Sequence, residues 1–231
     1  MEYLEFERIL SAKRIQRYKD AANGDTRKAM ALYRYNLHLS QEMFTIVSCF
    51  EVALRNAIDS LLVPSLGEDW LKDSVQDNGI FSNGRMNETR KIIEKAYNRL
   101  NRQGNYSHSK LIAEMEFGVW KYMYSSLQYR ATGQCLLRAF PNKPRSSAAV
   151  QYNNTYIFNE LDKVNSLRNR IAHHEPICFR LHEAEIDTSY IINEYQKIQT
   201  LFSWMGIDSH SMLYGLDHVQ SVCAKINKLK R

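Results

Sequence analysis

Apolar residues recur every three or four positions through most of this chain, which is the period of an α-helix. In one stretch a wide apolar stripe runs through Ile46, Phe50, Leu54, Ile58 and Leu62. No segment of useful length alternates apolar and polar residues as a strand would. We therefore predict an all-α fold, with a short helix near Trp70 and longer helices over residues 2–22, 27–62, 87–103, 108–130, 132–139, 147–174, 182–205 and 211–229.

Few residues interrupt these predicted helices. The 231 residues include only 9 Gly and 4 Pro, and the strongest interruption is the segment FPNKPR at 140–145. Pro64 should break or kink the second helix, because proline lacks an amide hydrogen and clashes with the preceding turn. No internal repeat or low-complexity segment divides the chain, so we expect a single domain over residues 1–231, a helical bundle with additional helices.

Composition and charge restrict the function classes moderately. The formal net charge of +6 is compatible with an anionic partner such as RNA. No apolar run is long enough to cross a membrane, and the acidic start MEYLEFERIL is unlike a secretory leader, so we expect a cytoplasmic protein. The cysteines do not have metal-ligand spacing, so we expect no metal and no cofactor; they are Cys49, Cys135, Cys178 and Cys223.

A stripe of short polar side chains marks the predicted helix before Pro176. One side of this helix is apolar and should be buried: Ile157, Leu161, Val164, Leu167 and Ile171. A neighbouring stripe carries Asp162, Asn165, Ser166, Asn169 and His173. Solvated helix faces are usually rich in Lys and Glu, so this stripe indicates a face that is partly buried in a cleft or against a partner. A plain helix–helix contact held by side-chain hydrogen bonds explains it as well.

Arg168 and His173 are the candidate catalytic residues of this helix. A histidine titrates near neutral pH and moves protons, and an arginine grips a phosphate and stabilises charge on it. Together they suit RNA cleavage by the ribose 2′-hydroxyl without a metal. The two side chains lie about 140° apart on the wheel, so one copy alone makes a poor active site. A two-fold homodimer would bring two of each into one groove.

Four further residues have candidate supporting roles: Asn169, His174, Glu51 and Arg55. His174 directly follows His173 and is a second candidate for proton transfer, although the wheel favours His173. The Leu-Arg-Asn of the motif helix also occurs earlier, in FEVALRNAID at 50–59, where Glu51 and Arg55 stand four residues apart. This spacing forms a favourable helical ion pair. The pair either has a plain structural role or orients Arg168 or Asn169.

Four segments of the chain resemble known proteins. Arg168 and Asn169, followed by His173 with four residues between Arg168 and His173, resemble the ribonuclease motif of the HEPN superfamily, whose members are all-α. The longer string RNRIAHHEPI resembles the signature of bacterial abortive-infection (Abi) proteins within it. The segments 24–41, 50–59 and 110–127, with the FP turn at 140–141, resemble the rest of that family in order, so the similarity covers about residues 10–180.

The resemblance implies a metal-independent endoribonuclease that acts as a toxin in phage defence. It implies a homodimer with a shared site, RNA as the substrate, and an antitoxin that is a small RNA or a protein. It also implies that Glu51 and Arg55 face the motif helix. Some HEPN proteins carry a modified tyrosine two residues after the motif histidine, but Glu175 stands there in this chain. The alternative function is a catalytically inactive HEPN-like module that binds RNA or a protein.

Overall fold

Twelve α-helices make up most of residues 1–230, the part of the chain that this computed structural model describes. Two 3₁₀ turns occur at Gly84–Met86 and Leu136–Ala139. Within the same residues there is no strand, and one isolated bridge joins Phe179 to Ile186. The predicted all-α class is confirmed. The helices are α1 (Tyr3–Leu10), α2 (Ala12–Ala21), α3 (Thr26–Leu66), α4 (Trp70–Asp73), α5 (Asn87–Arg102), α6 (His108–Glu114), α7 (Phe117–Tyr122), α8 (Ser126–Ala131), α9 (Asn154–Ala172), α10 (Ser189–Trp204), α11 (Ser209–Met212) and α12 (Val219–Lys228).

The first predicted helix, residues 2–22, is two helices in the structure. Ser11 separates α1 from α2 with a φ of 70°, and its hydroxyl oxygen accepts the backbone N–H of Arg14 at 3.4 Å. A serine side chain that caps a helix start competes with continuation of the preceding helix. The prediction of one helix was therefore wrong at this residue.

The long helix α3 continues past Pro64, where we expected a break. Pro64 lies in its last turn, and the helix ends at Leu66. Gly67 then adopts a φ of 93°, and its N–H donates to the carbonyl oxygen of Val63 at 2.9 Å. A glycine in the left-handed region is a common helix stop. Gly67 rather than Pro64 therefore sets this helix end.

The predicted helix over 108–130 is three short helices. The backbone is extended at Met115 and Glu116, which follow α6 and precede α7. Met115 and Phe117 are both buried. Residues two apart project from roughly opposite sides of a helix but from the same side of an extended chain. Extended backbone thus lets both side chains enter the core.

Several later boundaries also differ from the prediction. Only Leu136–Ala139 of the predicted helix 132–139 is helical, as a 3₁₀ turn. The helix predicted over 147–174 begins at Asn154 and ends at Ala172, and the one predicted over 182–205 begins at Ser189. The segment 211–229 contains the two helices α11 and α12. Among residues 1–230, no helix has the length and apolarity needed to cross a bilayer.

Contacts divide the described chain into two compact units. The terminal unit comprises residues 1–48, 166–200 and those from 208 onward, and the central unit comprises 49–165 and 201–207. The single domain over residues 1–231 stays a prediction, and its last residue, Arg231, lies outside the described residues.

Aromatic rings form much of the core of each unit. In the terminal unit, Tyr18 packs edge-on against Tyr33 and Phe179, with ring centroids 5.1 and 5.0 Å away. In the central unit, Phe50 packs against Phe202 at 5.3 Å. Fully burying one such side chain stabilises a fold by roughly 1.5–3 kcal/mol. Each unit thus contains a hydrophobic core of its own.

Candidate functional site

Buried apolar residues hold the end of α9 in a fixed rotation. The predicted stripe Ile157, Leu161, Val164, Leu167 and Ile171 is buried along its whole length, as expected. In the terminal unit, burial of Leu167 and Ile171 leaves Arg168 half-buried and Asn169 and His173 exposed. The motif residues therefore reach the surface because the neighbouring positions anchor the helix.

A defined turn ends α9 directly after the motif. His174 has a φ of 56°, its N–H donates to the carbonyl of Ile171, and the N–H of Glu175 donates to that of Arg170, both at 2.9 Å. This pair of hydrogen bonds around a left-handed residue is the Schellman motif. His174 therefore serves as the left-handed cap residue, a position that Gly or Asn usually occupies. His173 is the last residue before that turn, and its N–H still donates to the carbonyl of Asn169 at 2.9 Å.

Arg170 binds the chain that leaves this turn. Its Nη2 donates to the carbonyl of Pro176 at 3.0 Å, its Nε lies 3.3 Å from a carboxylate oxygen of Glu175, and its guanidinium lies 5.0 Å from the ring centre of Tyr190. Sequence reasoning missed this residue. An arginine followed five residues later by an acid and then a proline was the available signal.

Helix α2 contacts the segment that follows α9, residues 174–183, which we call the exit segment. Arg14 Nη1 donates to the carbonyl of His174 at 3.0 Å, and Arg17 donates to the carbonyls of Arg180 and Glu183 at 2.7 and 2.8 Å. Arg17 also lies over the ring of Phe179, 4.8 Å from its centre. Two arginines one turn apart thus fix the backbone that follows the motif.

One buried amide completes this support. The Oδ1 of Asn36, on α3, accepts the N–H of Ile177 at 2.9 Å, and both residues are buried. A buried backbone N–H without a partner costs free energy, so this side chain stabilises the path of the chain after Pro176. Asn36 was likewise not singled out from the sequence.

Arg168 and His173 differ from these neighbours because their side chains are not engaged. Within residues 1–230, neither side chain forms a hydrogen bond or an ion pair, and the same holds for Asn169 and the imidazole of His174. The structure therefore places a half-buried guanidinium and an exposed imidazole on a rigid helix end. Both groups are available to a ligand.

The predicted polar stripe is only partly covered in the chain itself. Asp162, in the central unit, pairs with Lys121 through an Nζ–Oδ1 distance of 2.8 Å, and Asn165 is half-buried. Ser166, Asn169 and His173 are exposed. A partner that covers this stripe stays a prediction.

Glu51 and Arg55 lie on α3 in the central unit, whereas Arg168 and Asn169 belong to the terminal unit. Glu51 and Arg55 are both half-buried, and the Nε of Arg55 is buried without a hydrogen-bond partner among residues 1–230. Their proposed orienting role towards Arg168 or Asn169 stays a prediction.

Cys178 lies close to the motif in sequence but is not a candidate nucleophile. Its side chain is fully buried, and burial raises the pKa of the thiol to about 12. The thiolate is the reactive form of cysteine, and it is scarce at neutral pH when the pKa is so high. Among residues 1–230, no three His, Cys, Asp or Glu side chains are grouped so that they could hold a metal ion.

Comparison with known proteins identifies the family of the chain. No curated protein and no solved structure matches it significantly. A sequence model of the family described as Abi-like protein matches residues 3–178, a range that includes Arg168 and His173. The expected relation to abortive-infection proteins is thus confirmed, and it suggests a function in abortive infection. With most of its length inside this match, the chain belongs to the Abi-like protein family.

Proposed function

We propose that this protein is a metal-independent endoribonuclease of the HEPN type that acts as a toxin in phage defence. The observation that carries this proposal is that the residues at the end of α9 differ in whether their polar groups have partners within the chain. Arg170 and the backbone of His174 are held by hydrogen bonds, whereas the side chains of Arg168 and His173 are unengaged beside them. Phosphodiester cleavage requires a cation that stabilises the phosphoryl charge and a group that transfers protons, and these two side chains supply one of each.

The proposed reaction uses the ribose of the RNA as its nucleophile. One imidazole removes the proton of the 2′-hydroxyl, and the 2′-oxygen forms a bond to phosphorus. The bond from phosphorus to the 5′-oxygen breaks, and a second imidazole protonates the leaving oxygen. Arg168 stabilises the negative charge on the phosphoryl oxygens during this step. The products are a 2′,3′-cyclic phosphate and a 5′-hydroxyl end.

A homodimer supplies the second imidazole. Residues 168 and 173 point about 140° apart on one helix, so a single chain offers one catalytic imidazole beside a distant guanidinium. Packing of the exposed polar stripe against its symmetry mate would join two copies of Arg168 and His173 in one groove. RNA would bind in this groove, and an antitoxin, a small RNA or a protein, would restrain the enzyme.

Incubation of the purified protein with total RNA in the presence of EDTA tests this proposal. We expect cleavage that leaves cyclic phosphates, and a loss of about 10²–10⁴-fold for His173→Ala. His210→Ala is the matched control, because His210 is also exposed and its imidazole has no catalytic role here. Cleavage that requires an added metal, or that His173→Ala retains, would contradict the mechanism. Salt-dependent RNA binding without any cleavage would favour the inactive HEPN-like module.

A further inference from the structure

A groove of about 660 Å³ lies in the central unit, and the proposed cleavage reaction does not use it. Helix α5 lines the groove along its length, and residues 114–122 supply much of the rest. The α5 residues that face it are spaced four, three, four and three apart, which is the spacing of one helical face. They are Glu88, Ile92, Lys95, Arg99 and Arg102. This face extends for about 21 Å at 1.5 Å per residue, so the groove is elongated.

The floor of the groove is apolar. Met115 and Val119 are 2% and 3% exposed, and they border the groove together with the side chain of Ile92, which is 46% exposed. The half-exposed side chain of Ile92 thus continues the buried apolar floor up to the surface of the groove. The groove therefore offers an apolar strip to a ligand.

Gly118 adds space on the α7 side of the groove. This glycine lies within the helix without a positive φ, and a Cβ built on it would meet no atom within 4 Å. Glycine destabilises a helix relative to alanine, and nothing in the backbone or packing of the chain requires it here. A side chain is thus missing where an external backbone could approach closely.

The charges along the groove are unevenly paired. Glu88 pairs with Lys91, and Glu114 pairs with Arg99. Arg85, Lys95 and Arg102 have no carboxylate partner in residues 1–230. The α5 side of the groove therefore presents three uncompensated cations.

We propose that this groove binds an amphipathic helix of a partner protein, with acidic residues along the edge that faces α5. Its apolar side chains would pack on Ile92 and Val119, and its backbone would approach at Gly118. Its carboxylates would pair with Lys95 and Arg102. Helix-in-groove recognition combines an apolar floor with such charge complementarity at the rim.

The groove chemistry favours a protein helix over RNA. Three carboxylates, those of Glu88, Glu114 and Glu116, interrupt the cations that line the groove, so its basic residues do not form a continuous track. The floor is mainly aliphatic, and Tyr122 is the one aromatic residue among those that line it. Single-stranded RNA binding relies on several stacking platforms together with a continuous basic track.

A display library of randomised helical segments, about 18 residues long, tests the proposal when it is selected against the full chain. We expect selected peptides with apolar residues at helical spacing and an excess of Asp and Glu on one edge. Their affinity should fall about tenfold or more for Gly118→Phe, which fills the groove, and for the double variant Lys95→Glu/Arg102→Glu. Arg145→Glu is the matched charge control, because Arg145 is exposed in the same unit and does not line the groove.

Ile92→Asp gives an independent readout, since this exposed side chain can change without disturbing the core. It should weaken the same peptides, and circular dichroism should show that each variant keeps its helical fold. The proposal fails if no acidic helical consensus emerges, or if selected peptides bind Gly118→Phe and Ile92→Asp as tightly as the native chain. It also fails if a labelled RNA of about 20 nucleotides binds the native chain but not the double variant, because the groove would then be an RNA site.

Discussion

The tripeptide Leu-Arg-Asn occurs twice in this protein, at 54–56 in α3 and at 167–169 in α9, and the two copies share one burial pattern. In each copy the leucine is fully buried, the arginine is half-buried and the asparagine is exposed. An isoleucine, also buried, follows two residues after each asparagine. Helical packing alone therefore does not distinguish the two copies.

The residues that follow each tripeptide make the difference. In the first copy Asp59 accepts the indole N–H of Trp70 at 2.7 Å and lies 2.8 Å from Nε2 of His108. Helix α3 then continues to Leu66. The corresponding residue in the second copy is Ala172, where α9 ends. The first copy is thus followed by a residue that binds other side chains of its unit. The second copy leads directly to a helix end, where the imidazole of His173 is unengaged.

Replacement of the arginine in each copy by alanine should give the largest difference between the two copies, and that difference should be in the rate of RNA cleavage. We expect Arg168→Ala to reduce RNA cleavage about 10²–10³-fold, the loss typical of removing a group that stabilises transition-state charge. Arg55→Ala should reduce cleavage less, because Arg55 acts at most by positioning other groups. Single-turnover cleavage of one RNA by both variants provides the measurement. An equal loss for the two variants would remove the distinction between the copies.

Substitutions at Asp59 and Ala172 should rank the two copies in the opposite order when stability is measured, with the larger loss in the first copy. Asp59→Ala should lower the free energy of unfolding by about 2–3 kcal/mol, because it leaves the buried indole N–H of Trp70 and the imidazole of His108 without their acceptor. Ala172→Asp should lower the free energy of unfolding by only about 0.3–1 kcal/mol, because it places a negative charge at a helix C-terminus. Urea unfolding of both variants measures the difference. Similar losses would mean that Asp59 does not anchor the first copy.

The period of apolar residues in the sequence predicted the helical class, the motif helix α9 and its buried stripe. It could do so because apolar spacing follows directly from which side of a helix faces the core. It did not predict the helix ends at Ser11 and Gly67. Single hydrogen bonds and left-handed residues decide those ends, and apolar periodicity contains no information about either.

The site was predicted to a similar extent. Arg168 and His173 could be chosen by their chemistry, but their freedom from internal partners could not. The segment that follows α9 is instead bound by Arg170, Arg14 and Asn36. Two of these residues stand more than a hundred positions away in the chain, so no local pattern indicates them.

A smaller effect should distinguish Arg170, which has a structural role, from Arg168, which has none. Arg170→Ala removes a charged hydrogen bond to Pro176 and a contact with the ring of Tyr190. We expect a loss of about 2 kcal/mol in the free energy of unfolding. Arg168→Ala should change it by less than about 0.5 kcal/mol, as for most surface substitutions. Chemical unfolding of both variants is the measurement, and a larger loss for Arg168→Ala would show that Arg168 is structural.

The smallest expected effect concerns His174 and decides between the two histidines. Its φ of 56° is strained for a side chain with a Cβ and is free of strain for glycine. His174→Gly should therefore raise the free energy of unfolding by up to about 1 kcal/mol and keep the turn that ends α9. His174→Val should lower it, since β-branched residues fit this region worst. If His173 is the proton-transfer group, His174→Gly keeps most of the cleavage activity while His173→Ala loses it. Loss of cleavage in the stable His174→Gly variant would instead assign proton transfer to the cap residue, and α9 would then combine its reactive group and its helix stop in one side chain.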